Sequence, residues 1–123
     1  MHEYSMTVGL VNAVLREAKK KNSKKVIEVH LSVGRLSLLA HDQLRFWYKV
    51  LGKGTILEGS KLRISVEEGE VECEDCGYKG PIRYEEGLYE HLFFPTLSCP
   101  RCGSIVKVLK GRECIIKSIK MVV

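Results

Sequence analysis

The chain has 123 residues, 45% of them hydrophobic and 28% charged, with a formal net charge of +5. That length and balance fit one ordinary globular domain with at most a small added module. No apolar run approaches the roughly 20 residues of a membrane span, and the Met1-His2-Glu3 start lacks the basic and apolar segments of a secretory signal, so a cytoplasmic protein with reduced thiols is expected.

Residues 4–21 carry Tyr4, Val8, Val11, Leu15 and Ala18 at spacings of four and three, which predicts one face of an amphipathic helix. Gly9 inside that pattern costs roughly 1 kcal/mol against alanine, so the helix must lean on tertiary packing. Asn22-Ser23 is the polar turn that ends it. The lysines from Lys19 to Lys25 form the densest basic run, read as a solvated helix end with favourable cation–dipole contact.

Over residues 25–33, Ile27, Val29, Leu31 and Val33 alternate with Glu28, His30 and Ser32, which predicts a strand covered on one side. A second helix is expected from His41 to Leu51, with Leu44, Trp47, Tyr48 and Leu51 on one face and Gly52 as its stop. Gly54 to Lys61 resembles a phosphate loop, but Ser60 precedes Lys61 and the segment follows a helix rather than a strand, so it reads as a connection. Leu62, Ile64 and Val66 predict a strand over 61–67, and the apolar residues from Cys114 to Val123 predict a last one. The fold class expected is α+β, a three-stranded antiparallel sheet with two helices on one face. A four-cysteine module is inserted before the last strand.

That module reads Cys73-x2-Cys76, 22 intervening residues, then Cys99-x2-Cys102, each pair followed by glycine. Two such knuckles in a short chain are a strong zinc signal. The glycine permits the positive φ of a tight turn that aims both thiolates at one point. Two disulfides would need an oxidising compartment, and a redox Cys-x2-Cys would need a βαβ setting. Four thiolates suit tetrahedral Zn²⁺ at about 2.3 Å per bond and leave no open position, so the zinc is expected to be structural. Phe93, Phe94 and Leu97 are expected to pack this module. Cys114 reads as a small buried hydrophobe on the last strand, and His30 and His41 as surface or capping residues.

His2 stands out by position. With Met1 retained, a free amine, the backbone nitrogens of His2 and Glu3 and an imidazole lie within a few bonds. Such a nitrogen set suits square-planar Ni²⁺ or Cu²⁺ rather than Zn²⁺; from the residues alone, a frayed terminal histidine is the plainer reading.

Met1-His2-Glu3, the cysteine module with Cys99-Pro100-x-Cys102-Gly103, Val33-Gly34-x-Leu36, Gly54-Thr55, Glu58-Gly59-x2-Leu62 and Gly111-Arg112-Glu113 together resemble the HypA/HybF hydrogenase nickel-incorporation proteins over essentially the whole chain. The resemblance implies a nickel metallochaperone for [NiFe]-hydrogenase maturation. Nickel would be held by His2 with the backbone of Glu3 and Met1, and structural zinc by Cys73, Cys76, Cys99 and Cys102. The insert between the cysteine pairs has the length of archaeal members, some of which place an extra nickel-ligating histidine there; His91 is the histidine of this insert, and by itself it reads first as a structural residue. Residues 1–70 with 112–123 would be the nickel-binding domain and 71–111 the zinc-binding domain. The implied partners are the nickel-binding GTPase HypB and the hydrogenase large subunit, with neither nucleic acid nor membrane, and a homodimer is left open. No bond-making side-chain set is visible, so no enzymatic activity is expected. The alternative from a different class is a zinc-ribbon nucleic-acid-binding protein, supported by the paired knuckles and the basic balance. Against it, the zinc module carries Glu74, Asp75, Glu85, Glu86 and Glu90.

Overall fold

The computed structural model describes residues 2–86 and 93–123, apart from the side chains of residues 83–86 and 93–96. Met1 and His91 therefore lie outside the described residues. The chain divides into two compact units: Met1–Val33, Leu38–Val66 and Cys114–Val123 form the first, and Gly34–Ser37 with Glu67–Glu113 form the second.

In the first unit, helix α1 spans His2–Lys20 and buries Thr7, Leu10, Val11, Val14 and Ala18. The buried stripe is rotated from the expected one: Tyr4 is exposed and Val8 and Leu15 are only half-buried. Thr7 can enter the core because its hydroxyl donates to the Glu3 carbonyl at 2.6 Å, which removes the penalty of burying it. The helix ends as expected at Asn22, which takes φ 53°. The N–H of Ser23 bonds to the Ala18 carbonyl and that of Asn22 to the Lys19 carbonyl, the paired closure of a Schellman turn.

Strand β1 (Lys25–Gly34) is central in a sheet of order β2-β1-β8, where β2 is Lys61–Glu67 and β8 is Cys114–Val122. The intervening short strands belong to the second unit. The strict alternation expected for β1 fails at Ile27, which is 49% exposed while Val26 is buried. The cause is an extra residue in the β1–β8 ladder, where Val26 pairs with Met121 and Glu28 with Lys120, leaving Ile27 over. On the outer face, Glu28 lies 3.5 Å from Arg63 on β2 and 3.3 Å from Lys120 on β8, and His30 bonds to Ser65 at 2.9 Å. Partly exposed pairs of this kind contribute about 0–1 kcal/mol each, so they favour the register more than the stability.

Helix α2 spans His41–Gly52 and buries Leu44, Tyr48 and Gly52. Gly52 does not stop the helix with a positive φ, as the sequence suggested. It is the last helical residue, and a Cβ there would sit 3.3 Å from Leu57 Cβ, so glycine lets the returning chain pack closely. Residues of α1, α2 and one face of the sheet share a single core with Leu57 and Leu62. Trp47 is half-buried and meets Tyr4 edge-on at 4.8 Å between ring centres. The segment 54–60 is the expected connection: Thr55 Oγ1 donates to the Gly52 carbonyl and accepts the Leu57 N–H, and Gly54 and Gly59 take positive φ.

The second unit holds short strands of its own beside the expected four-cysteine module. Strands β3 (Glu70–Glu72), β4 (Lys79–Gly80) and β7 (Lys107–Lys110) form a sheet of order β4-β3-β7, and β5 (Arg83–Glu86) pairs with β6 (Phe93–Thr96). Among the described residues its core is Val71, Cys73, Ile82, Cys99 and Val106. Leu97 is 50% exposed and does not pack it, contrary to expectation; the side chains of Phe93 and Phe94 fall outside those described.

Three glycines of this unit close on one another. A Cβ on Gly34 would lie 2.1 Å from the Gly111 carbonyl oxygen, and one on Gly111 2.6 Å from Gly69 Cα. The N–H of Leu36 bonds to the Gly111 carbonyl at 2.8 Å, that of Gly34 to the Glu113 carbonyl at 2.7 Å, and that of Gly111 to Glu113 Oε2 at 3.1 Å. Backbone donors of Glu113 itself and of Gly111 hold the Glu113 carboxyl below its ordinary value of 4.5.

Two outcomes follow for urea unfolding. Gly34→Ala must displace backbone and is expected to cost about 3 kcal/mol, whereas Gly9→Ala, whose Cβ meets nothing within 4 Å, should gain up to about 1 kcal/mol. Because the folded pKa of Glu113 is depressed, its contribution is present above the ordinary value and lost as pH falls through the folded one. Glu113→Gln should therefore be less stable than wild type near neutral pH, and the gap should close on acidification.

Candidate metal centre

The cysteine site is built from two turns of the same design. Cys73 follows β3, and its N–H bonds to the Tyr78 carbonyl at 2.8 Å while its own carbonyl accepts the Gly77 N–H at 2.9 Å. In the other turn the Cys99 N–H bonds to the Ser104 carbonyl at 2.6 Å, and its carbonyl accepts the Gly103 N–H at 2.9 Å. Gly77 and Gly103 take φ 78° and 82°, the left-handed region that a side chain disfavours.

The two turns face each other so that all four Sγ atoms lie within 4.8 Å of one another. Cys73 Sγ is 3.5 Å from Cys102 Sγ, and Cys76 Sγ is 3.5 Å from Cys99 Sγ. A tetrahedron with Zn–S bonds of about 2.3 Å has edges of about 3.8 Å, so the cluster has the size that Zn²⁺ requires. Cys73 and Cys99 are buried, and Cys102 is exposed.

The site also tunes its thiols. The backbone N–H and hydroxyl of Ser104, with help from Cys73, pull Cys102 down to about 6. At Cys76 the backbone hydrogen bond from Tyr78 lowers the pKa, but desolvation and the other three sulfurs outweigh it and push the group up to about 12. Crowded thiols cannot all ionise unaided, and a divalent cation removes that conflict by binding the thiolates. The Arg101 N–H adds a bond to Cys99 Sγ at 3.3 Å, and the Arg101 guanidinium stands 5.8 Å from the centre of the Tyr78 ring. The sequence reading missed Ser104 and Arg101; their signal was their place beside the second cysteine of the pair, where backbone N–H groups turn toward sulfur.

The N-terminal residues lie at the start of α1. His2 is exposed and its carbonyl accepts from Ser5 Oγ at 3.3 Å, while the Glu3 carbonyl accepts from Thr7. The N–H groups of a first helical turn have no acceptor within the helix, so the amide nitrogens of His2 and Glu3 are not committed to it. Cys114 is half-buried against the main core, and burial pushes its thiol up, in keeping with a small hydrophobe. His30 is held by Ser65, and His41 opens α2 after Ala40, which makes no side-chain cap.

These features define an α+β metal-binding protein with a separate four-thiolate unit. The family profile described as hydrogenase/urease nickel incorporation, metallochaperone, hypA matches residues 1–121, and the chain belongs to that family. Its curated relatives include the hydrogenase maturation factor HypA of Methanothermobacter thermautotrophicus, 42% identical over 98% of this chain and 97% of the relative. Another is that of Archaeoglobus fulgidus, 37% identical over 97% and 96%. The solution structure of the Ni metallochaperone HypA from Helicobacter pylori has the same fold, with a TM-score of 0.63 at 22% identity over 98% of this chain and 97% of that one. Membership of this family decides against the zinc-ribbon nucleic-acid reading. No helix among the described residues is long and apolar enough to cross a membrane.

The likeness of the two turns sets an expectation. Gly77→Ala and Gly103→Ala place a side chain at nearly equal positive φ with open space around it, so each should cost about 1–2 kcal/mol in unfolding of the metal-loaded protein. Unequal costs would mean that the two turns do not carry the same strain.

Proposed function

We propose that this chain is a non-catalytic, cytoplasmic nickel carrier with a resident structural zinc. Ni²⁺ is the cargo. It binds the His2 imidazole together with the backbone nitrogens of His2 and Glu3 and the Met1 amine. The observation that supports this is the place of His2: an exposed imidazole on the first turn of α1, beside amide nitrogens the helix does not use. Nitrogen ligands of this kind favour Cu²⁺ over Ni²⁺, so choice of metal falls to partner docking and metal supply. In keeping with the family, the partners are the GTPase HypB as donor and the [NiFe]-hydrogenase large subunit as recipient, and transfer proceeds by exchange of ligands. Protons compete for the same nitrogens, so acidification releases the metal.

Zn²⁺ is held by Cys73, Cys76, Cys99 and Cys102. The bound ion would neutralise part of the thiolate charge and cross-link the two turns; with four sulfurs on it, it offers no position to a substrate. Residues 1–70 with 112–123 then serve nickel, and 71–111 serve zinc.

Nickel titration of untagged protein, followed by absorbance of square-planar Ni²⁺ and by calorimetry, tests the cargo site. His2→Ala should lose the signal and at least about tenfold in affinity, or about 1.4 kcal/mol. Zinc content should stay at one ion per chain. Equal nickel affinity in the two proteins would sink the proposal. For zinc, Cys76→Ser should abolish stoichiometric metal while leaving nickel at His2 intact.

A further inference from the structure

Several cations of this chain sit beside acids and pair with them, as Arg63 and Lys120 do with Glu28, Arg35 with Glu68 and Lys110 with Glu67. The outer side of α2 is different. Arg45, Lys49 and Lys53 follow at intervals of four, so they rise along one side of the helix and past its end, and Lys61 opens β2 beside them. All four are exposed, and among the described residues none takes part in an ion pair. Like charges four apart repel, which opposes the favourable cation–dipole contact of Lys49 and Lys53 at the end of the helix.

The four cations rim an open cleft of about 480 Å³, with Glu58 as its one acid and Tyr48, Leu57 and Leu62 beneath. Its volume is that of a ligand pocket, but its donors do not suit a small phosphate. Ser60 Oγ donates to the Leu57 carbonyl at 2.5 Å and shares a hydrogen bond with the Tyr48 hydroxyl at 2.6 Å. The N–H groups of Glu58 and Ser60 bond to the carbonyls of Thr55 and Leu57. What remains for a ligand is flexible positive charge above an apolar floor. Immediately beside the cationic row, Phe46 and Val50 are 54% and 39% exposed and also four residues apart, so α2 shows an apolar row next to a basic one.

We propose that this side of α2, with the cleft beside it, docks an acidic and partly apolar segment of a partner protein. Carboxylates meet Arg45, Lys49, Lys53 and Lys61, and apolar side chains of the segment cover Phe46 and Val50. A small charged surface gives fast, weak and salt-sensitive association. The proposal stands apart from the nickel reading, since none of these residues belongs to either metal site.

The test uses the full zinc-loaded chain and a short fluorescent peptide alternating glutamate and leucine, read by anisotropy and by amide shifts at low and high salt. Wild type should bind at low salt, with shifts on α2 and residues 58–62, and lose most binding at high salt. Lys49→Glu/Lys53→Glu should weaken binding by at least about tenfold. Lys19→Glu/Lys24→Glu, which alters the other basic run, should leave it unchanged, and a glutamate–serine peptide should bind several-fold more weakly. Unchanged binding in the α2 variant, shifts centred on residues 19–25, or tighter binding of duplex DNA or inorganic phosphate than of the peptide would each overturn it. Far-ultraviolet circular dichroism keeps the result readable: a variant that has lost its fold is replaced by Lys49→Gln/Lys53→Gln, for which the same weakening is required.

Discussion

Two short turns with the same hydrogen bonds bring four sulfur atoms to one point, and the second unit is organised around that meeting. Its described core has five members, and two of them, Cys73 and Cys99, are themselves sulfur donors. Val71, Ile82 and Val106 cannot supply much apolar burial alone; at about 1.5–3 kcal/mol per fully buried side chain, they would stabilise only a few ordered residues against chain entropy. A cation bound by four thiolates would add a cross-link between the two turns at the centre of this cluster. The short strands β3, β4 and β7 then stand as the frame that holds the turns opposite each other.

The backbone contact of Gly34, Gly69 and Gly111 is the other constraint of that unit. Three separate stretches, 34–37, 67–69 and 111–113, approach so closely that a single methyl group would overlap main-chain or Leu36 atoms. They are the stretches that adjoin the ends of β1, β2 and β8. Glu113 adds a carboxylate that accepts the Gly111 N–H, which fixes the positive φ of 109° there. This gives a physical reason for glycine in Val33-Gly34-Arg35-Leu36 and in Gly111-Arg112-Glu113, which as sequence were only tokens of resemblance.

Charge is used in two ways on the first unit. On the outer face of the sheet, acids and bases interleave, and Glu28 ties the two outer strands to the central one. On α2 the bases stand unopposed beside exposed Phe46 and Val50. The first arrangement serves the fold, since each pair favours one register. The second makes no ion pair among the described residues and is intelligible as a surface kept for a partner.

By itself the sequence determined the helices, the three strands of the main sheet and the four cysteines, because each rests on local spacing: four and three for α1, two for the strands, Cys-x2-Cys-Gly for the turns. It also singled out His2, through local chemistry together with the family resemblance and not through packing. It could not place Ile27 outside and Val26 inside, since the extra residue is defined only by what Met121 and Lys120 pair with across the sheet. Nor could it separate Gly52, which makes room for Leu57, from a glycine that ends a helix, or rotate the buried stripe of α1 to include Thr7, whose hydroxyl had to find the Glu3 carbonyl first. The short strands of the second unit escaped it because two or three residues carry no period. The approach of three glycines, and the lack of an ion pair for the row on α2 among the described residues, were decided by tertiary structure alone, because distances between distant segments are properties of the folded chain.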